Sequence, residues 1–111
     1  MKKLEIYIND QIVSEFDREI TLDEQQLTFL NKMDRDMDNG IKIQGRLFTN
    51  PDSHQRATFV SMNIIKALQQ ENEASSYASC AYLVNRLPQL IEVHANDDDG
   101  TININLVVES T

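Results

Sequence analysis

The densest group of basic and hydrogen-bonding side chains lies in the middle of the sequence. Segment 41–70 holds four bases and one acid, although the whole chain is acidic. Five of its side chains suit an anion: Lys42, Arg46, Ser53, His54 and Arg56. The last three fall in the predicted first turn of a helix, whose free backbone N–H groups and positive dipole end favour negative charge. If the two strand residues share a face and converge on that turn, the group binds a small anionic or phosphorylated metabolite. Ordinary ion pairing with the acidic first helix is the alternative.

Two further patterns resemble reactive sites but lack essential parts. Glu92 and His94 fall on one face of a predicted strand, together with Leu90, and could act as an acid–base pair. No nucleophile accompanies them, so a packing role is the alternative. The aspartate-rich segment 34–40 resembles a calcium loop, but Asn39 and Gly45 stand where such a loop needs glycine and glutamate. We therefore predict no metal site and no cofactor.

Cys80 is the single cysteine of the chain and has no base within one helical turn. A thiol in such surroundings keeps a high pKa, so a buried, inert side chain is expected. Glycine-rich phosphate loops, nucleophile elbows and metal-binding histidine motifs are absent from the sequence. This favours a protein without catalytic activity, although carboxylate chemistry leaves no short motif.

An uncharged helix is the strongest functional signal. Residues 74–85 contain no charged side chain and several small ones. Small residues let two backbones approach closely, and two-fold dimers are the commonest soluble assemblies. We therefore predict a homodimer whose interface includes Tyr77, Ala78, Ala81, Tyr82 and Val84. The alternative is that this helix is buried within a single subunit.

The elements that must position these residues follow from periodicity and turn signals. Period-two alternation predicts strands, and an apolar stripe at helical spacing predicts helices. Thr21 and Glu24 fit a capping box before the first helix, and Gly40 suits its end. The predicted elements are a hairpin over 4–16, helix 22–38, strand 41–48, helix 53–71, helix 74–87 and a hairpin formed by 89–95 and 101–108 around the turn 96–100. The order ββαβααββ indicates an α+β fold with a mostly antiparallel sheet and helices on one face. Whether the two hairpins share one sheet stays open.

Composition restricts the classes of partner. The chain has 111 residues, and this length favours a single domain over 1–111. Its formal net charge is −8. This charge would repel nucleic acid and an anionic membrane, and it suits a basic protein partner. No apolar run reaches the ~20 residues that span a bilayer. The alternating, acidic start is unlike a signal peptide, so we expect a cytoplasmic protein of bacterial type.

Three short stretches resemble a known family. They are Met37-Asp38-Asn39-Gly40-Ile41, then Asn50-Pro51-Asp52 with Gln55-Arg56-Ala57, and finally Asn85-Arg86-Leu87-Pro88. Their order and spacing resemble a family of small uncharacterised proteobacterial α+β proteins of about this length. The resemblance implies a small α+β domain in which dimer formation is an option. The family has no established activity, and it offers no catalytic residue to transfer to this sequence.

Three functions remain open from the sequence. The first is a small acidic homodimeric interaction or regulatory module without catalytic activity. The second is a binder of, or an enzyme acting on, a small anionic metabolite through the basic central segment. The third is an acidic partner of a basic protein, which rests on the net charge of −8.

Overall fold

The computed structural model describes residues 3–98 and 100–109 and confirms the predicted α+β class. Its strands are β1 (Lys3–Ile8), β2 (Gln11–Asp17), β3 (Ile41–Ile43), β4 (Arg46–Phe48), β5 (Leu90–Asp98) and β6 (Thr101–Val108). Its helices are α1 (Glu24–Asp38), α2 (Ser53–Gln69) and α3 (Glu73–Arg86). The predicted order holds, with the third strand folded into the short hairpin β3–β4. The predicted turn 96–100 includes Asp99, which lies outside the described residues.

The two terminal hairpins form one mixed sheet. Its strand order is β2-β1-β5-β6, in which β1 and β5 run parallel and the two hairpin pairings are antiparallel. The first hairpin turns at Asn9 and Asp10, which both have positive φ angles (51° and 68°) and so match the right-handed twist of the strands. The parallel contact answers the question that the sequence left open.

One face of this sheet carries the core. Leu4, Ile6, Val93 and Ala95 alternate inwards and are fully buried against the helices. The opposite face, which we call the outer face, carries polar and charged side chains. Such an alternation of apolar and polar faces is expected for antiparallel hairpins that have one side in solvent. The helices pack on the apolar face.

A β-bulge at the start of β5 changes which side of the sheet the side chains point to. The register of β5 against β6 shifts between Leu90 and Glu92, so that Leu90 points into the core and Glu92 points outwards. The expectation that His94 shares a face with Leu90 is therefore wrong, whereas its shared face with Glu92 holds. An extra residue in one strand reverses the alternation beyond it.

The helix ends differ slightly from the prediction. The capping box of α1 consists of Asp23 and Gln26, not of Thr21 and Glu24. Gly40 follows the end of α1 with a φ angle of 111°, as the predicted left-handed cap requires. A second capping box, Asp52 with Gln55, begins α2.

Candidate functional site

The predicted anion pocket fails first at its strand residues. Gln44 and Gly45 have positive φ angles of 52° and 79° and turn the chain back on itself between β3 and β4. Lys42 consequently pairs with Leu47, and Arg46 pairs with Ile43 on the other face of the hairpin. A single extended strand would have placed the two bases on one face. The hairpin separates them instead.

The helix start is also occupied by the chain's own groups. Arg56 forms ion pairs with Asp34, at 3.1 Å, and with Asp38, so its guanidinium already has two carboxylate partners. Ser53 and His54 lie in the exposed first turn of α2, whose Gln55 amide donates to the Asp52 carboxylate. The predicted convergence of Lys42, Arg46, Ser53, His54 and Arg56 on an anion is therefore corrected: the bases are splayed or paired.

Arg56 belongs to a side-chain network that joins the three helices. We call it the Asp34 network, after the carboxylate at its centre. Asp34 Oδ1 accepts hydrogen bonds from the Tyr82 hydroxyl at 2.5 Å and from Arg56 at 3.1 Å, while Oδ2 accepts from Arg86 Nε at 3.0 Å. Arg56 completes the network by donating to Asp38. The chain thus surrounds one partly buried carboxylate with two guanidinium groups and a phenol.

These contacts fix the charges of the network. Burial raises the pKa of Asp34, but hydrogen bonds from Tyr82 and Arg86 and the charge of Arg86 outweigh it, so the pKa lies below its usual 3.8. Burial and the hydrogen bond to Asp34 raise the pKa of Tyr82 well above its usual 10.0. The hydrogen bond to Asp38 raises the pKa of Arg56. These shifts keep Asp34 and Arg56 charged and Tyr82 neutral at neutral pH, so the network holds the three helices together through fixed charges and hydrogen bonds.

The residues predicted to form the dimer interface lie partly in the core and partly at the surface of the chain. Ala81, Tyr82 and Val84 are buried within the chain, with exposures of 3%, 2% and 7%. The alternative of burial within one subunit therefore applies to these three residues, because two neighbouring helices and the sheet surround this part of α3. Tyr77 remains half exposed and Ala78 partly exposed.

Tyr77 and Ala78 line an uncharged groove between α1 and α3. We call it the α1–α3 groove; its volume is about 210 Å³. Its lining residues are Gln25, Gln26, Phe29 and Leu30 from α1 and Tyr77, Ala78 and Ala81 from α3. Phe29 and Tyr77 are 49% and 47% exposed, so two aromatic rings stand at the surface of a strongly acidic chain. No charged residue of the described chain lines this groove.

The outer face of the sheet holds the predicted Glu92–His94 pair. Nε2 of His94 lies 2.7 Å from Oε1 of Glu92, so the predicted proximity is confirmed. The His94 ring stacks on Tyr7, with centroids 4.4 Å apart and an interplanar angle of 2°. The Tyr7 hydroxyl donates to Glu5 at 3.1 Å. Among the described residues, no serine or threonine hydroxyl and no cysteine thiol forms a hydrogen bond with this pair.

Three glutamates lie side by side on this outer face. Glu5 of β1 is directly opposite Glu15 of β2 on one side and Glu92 of β5 on the other. We call them the glutamate row. Like charges at directly opposed positions destabilise a sheet. Partial burial, the hydrogen bond to Glu5 and the charges of the row together raise the pKa of Tyr7 above its usual 10.0.

Other candidate chemistry is limited in the described part of the chain. Cys80 is buried, and its burial raises the pKa of the thiol to about 11, against a smaller opposing effect of the Ser76 contact. No group of three or more histidine, cysteine, aspartate or glutamate side chains among residues 3–98 and 100–109 could hold a metal ion. No helix in these residues is long and apolar enough to cross a membrane.

Sequence reasoning missed the central carboxylate, Asp34, and its partner Arg86. Asp34 appeared within an acidic helix end whose charge opposed the helix dipole. This unfavourable interaction with the helix dipole was the signal in the sequence, because a basic partner from elsewhere in the fold can offset it. Nothing local indicates that the partners come from α2 and α3.

Comparison of the chain with protein-family models, with curated proteins and with solved structures gives no match.

Proposed function

We propose that this chain is a protein-interaction or regulatory module that acts as a homodimer, with the α1–α3 groove at its contact surface. The observation that carries the proposal is the uncharged groove, flanked by the half-exposed rings of Phe29 and Tyr77, on a chain of net charge −8. Exposed aromatic residues are enriched at the centres of protein interfaces.

A second copy is the occupant that fits this surface best. Two chains of charge −8 repel each other, and a contact surface that is free of charge adds no local repulsion to this. The α1–α3 groove is such a surface, and the small side chain of Ala78 in its lining permits close approach of a helix from the partner. A basic partner would instead be drawn to the acidic surfaces.

The ligand-binding alternative receives no comparable support. It needs the central bases free and convergent, whereas Arg56 is paired with Asp34 and Asp38 and the other bases diverge. We therefore retain the interaction module as the single proposed function.

Sedimentation equilibrium tests the homodimer directly. The native chain is expected to show twice its protomer mass of 12.7 kDa, with dissociation on dilution. Ala78→Glu places a charge in the groove and should give the protomer mass with an unchanged circular dichroism spectrum. Ala81→Glu is unsuitable, because Ala81 is buried and the variant would unfold.

Leu47→Glu is the matched control, because Leu47 is 59% exposed and lies on β4, outside the lining of the groove. This variant should keep the dimeric mass. A native chain that sediments as a protomer at about 100 μM, a concentration at which weak dimers are populated, would overturn the proposal. Equal dissociation of both variants would show that the dimer uses another surface.

A further inference from the structure

The open edge of the main sheet borders a cleft. β2 is an edge strand, and among the described residues it pairs with β1 alone. A cleft of about 620 Å³ runs along its inner side, between β2 and the turn that joins α2 to α3. An unpaired edge presents a row of backbone donors and acceptors that an added strand can bind.

Only one half of β2 is regular enough to receive such a strand. The register with β1 shifts between Ile6 and Tyr7, which leaves Val13 as an extra residue. A bulge of this kind twists an edge away from a new neighbour and protects it. Beyond the bulge, residues 14–17 pair regularly with β1, and this segment borders the cleft.

The two sides of this segment differ in chemistry. On the inner side, Phe16 packs edge to face against Tyr77, with ring centroids 5.2 Å apart, and Leu68 extends the apolar wall of the cleft. On the outer side, β2 carries Glu15 and Asp17. A strand added here would therefore place alternate side chains against an apolar wall and beside carboxylates.

The remaining charges of the cleft are also acidic. Glu71 and Glu73 are the only charged residues among those described that line it, and both are exposed. A second copy fits poorly, because pairing β2 with β2 of another chain would oppose the acids of each copy. The complementary occupant is an extended segment in which basic and apolar residues alternate.

We propose that residues 14–17 of β2 dock an extended segment of a basic partner protein by strand addition, with its apolar side chains in the cleft and its lysines or arginines beside Glu15 and Asp17. Backbone hydrogen bonds supply the attachment, and the alternation supplies the specificity. Tyr77 lines both this cleft and the α1–α3 groove, but neither Glu15 nor Asp17 lines the groove, so variants of these two carboxylates test the inference separately from the homodimer.

The test uses blocked hexapeptides as probes and follows backbone amide signals by NMR. A peptide of alternating lysine and valine should shift the signals of residues 14–17 and 68–77 and slow the hydrogen exchange of the β2 amides. Its binding should weaken at high salt, because the attraction between exposed charges is screened. A peptide of alternating glutamate and valine, or one interrupted by proline, should bind at least tenfold more weakly.

Two glutamates of one row provide matched variants. Glu15 and Glu92 both flank Glu5, so changing either to lysine removes one like-charged neighbour of Glu5 and alters the net charge equally. Glu92→Lys also removes the contact with His94, which lies on the outer face and away from the β2 edge. Glu15→Lys should weaken binding of the lysine–valine peptide about tenfold, whereas Glu92→Lys, two strands away from the edge, should weaken it less than twofold. Equal effects of both variants, binding without protection of the β2 amides, or no binding at low salt would overturn the proposal.

Discussion

Two carboxylates in this molecule, Asp34 and Glu5, stand in opposite surroundings. Asp34 lies between two guanidinium groups and a phenol hydroxyl, which stabilise its negative charge. Glu5 lies between two other glutamates, Glu15 and Glu92, on the outer face of the sheet. The charge of Asp34 is balanced by partners on two other helices, whereas the nearest charged neighbours of Glu5 across the sheet have the same sign. Net charge alone does not reveal this division.

Among the substitutions that test this comparison, neutralising Asp34 should change the free energy of unfolding most. Asp34→Asn removes one of the two carboxylate partners of Arg56 and the only one that Arg86 has among the described residues. A partly buried guanidinium group is costly to leave without a counter-ion. We expect the free energy of unfolding in urea to fall by about 2 kcal/mol. Asp36→Asn is the control, because Asp36 pairs with Lys32 on the exposed face of α1 and should change stability by under about 0.5 kcal/mol. Equal losses in the two variants would contradict the clamping role.

The same network predicts the direction of an acid effect. Because the pKa of Asp34 is lower in the folded chain than its usual 3.8, its contribution is fully present above that value and is lost as pH falls through the folded pKa. The stability difference between the native chain and Asp34→Asn should therefore be constant from pH 7 to about 5 and then shrink toward pH 2. Urea unfolding of both chains at a series of pH values measures this stability difference. A difference that stays constant down to pH 2 would contradict a lowered pKa of Asp34 in the folded chain.

Neutralising Glu5 should have a smaller effect with the opposite sign. Glu5→Gln relieves the repulsion with Glu15 and Glu92 and keeps an oxygen that can accept the Tyr7 hydrogen bond. We expect a gain of about 0.5 kcal/mol that decreases with added salt. The pKa of Tyr7, followed by NMR of its ring carbon, should fall toward 10.0. A loss of stability would show that the glutamate row is not a source of repulsion.

The fold was predictable wherever local patterns determine it. Alternation in β1 and β6, the turn at Asn9 and Asp10 and the cap at Gly40 each depend on neighbouring residues, and these elements were predicted correctly. The start of α1 was misplaced because two overlapping capping boxes fit the sequence equally well. The hairpin of β3 and β4 was missed because Gln44 and Gly45 interrupt an alternation that otherwise continues.

The candidate site was less predictable, since its residues meet only through packing. The partners of Asp34 lie on α2 and α3, and the sequence does not state which turns of three helices face each other. Burial of Tyr82 likewise depends on how many neighbours surround α3. The uncharged character of the helix was visible in the sequence, but its division into a buried face and an exposed groove was not.

The parallel pairing of β1 with β5 also sets the order in which the chain can fold. Hairpins close within microseconds, whereas the pairing of Glu5 with Glu92 joins residues that are far apart in the sequence, and contacts of this kind form more slowly. Until then, the apolar side of β1, with Leu4 and Ile6, is uncovered and prone to bind other chains. The slow event in refolding is therefore expected to be the joining of the two hairpins, and chaperone dependence or aggregation during synthesis would arise at that step.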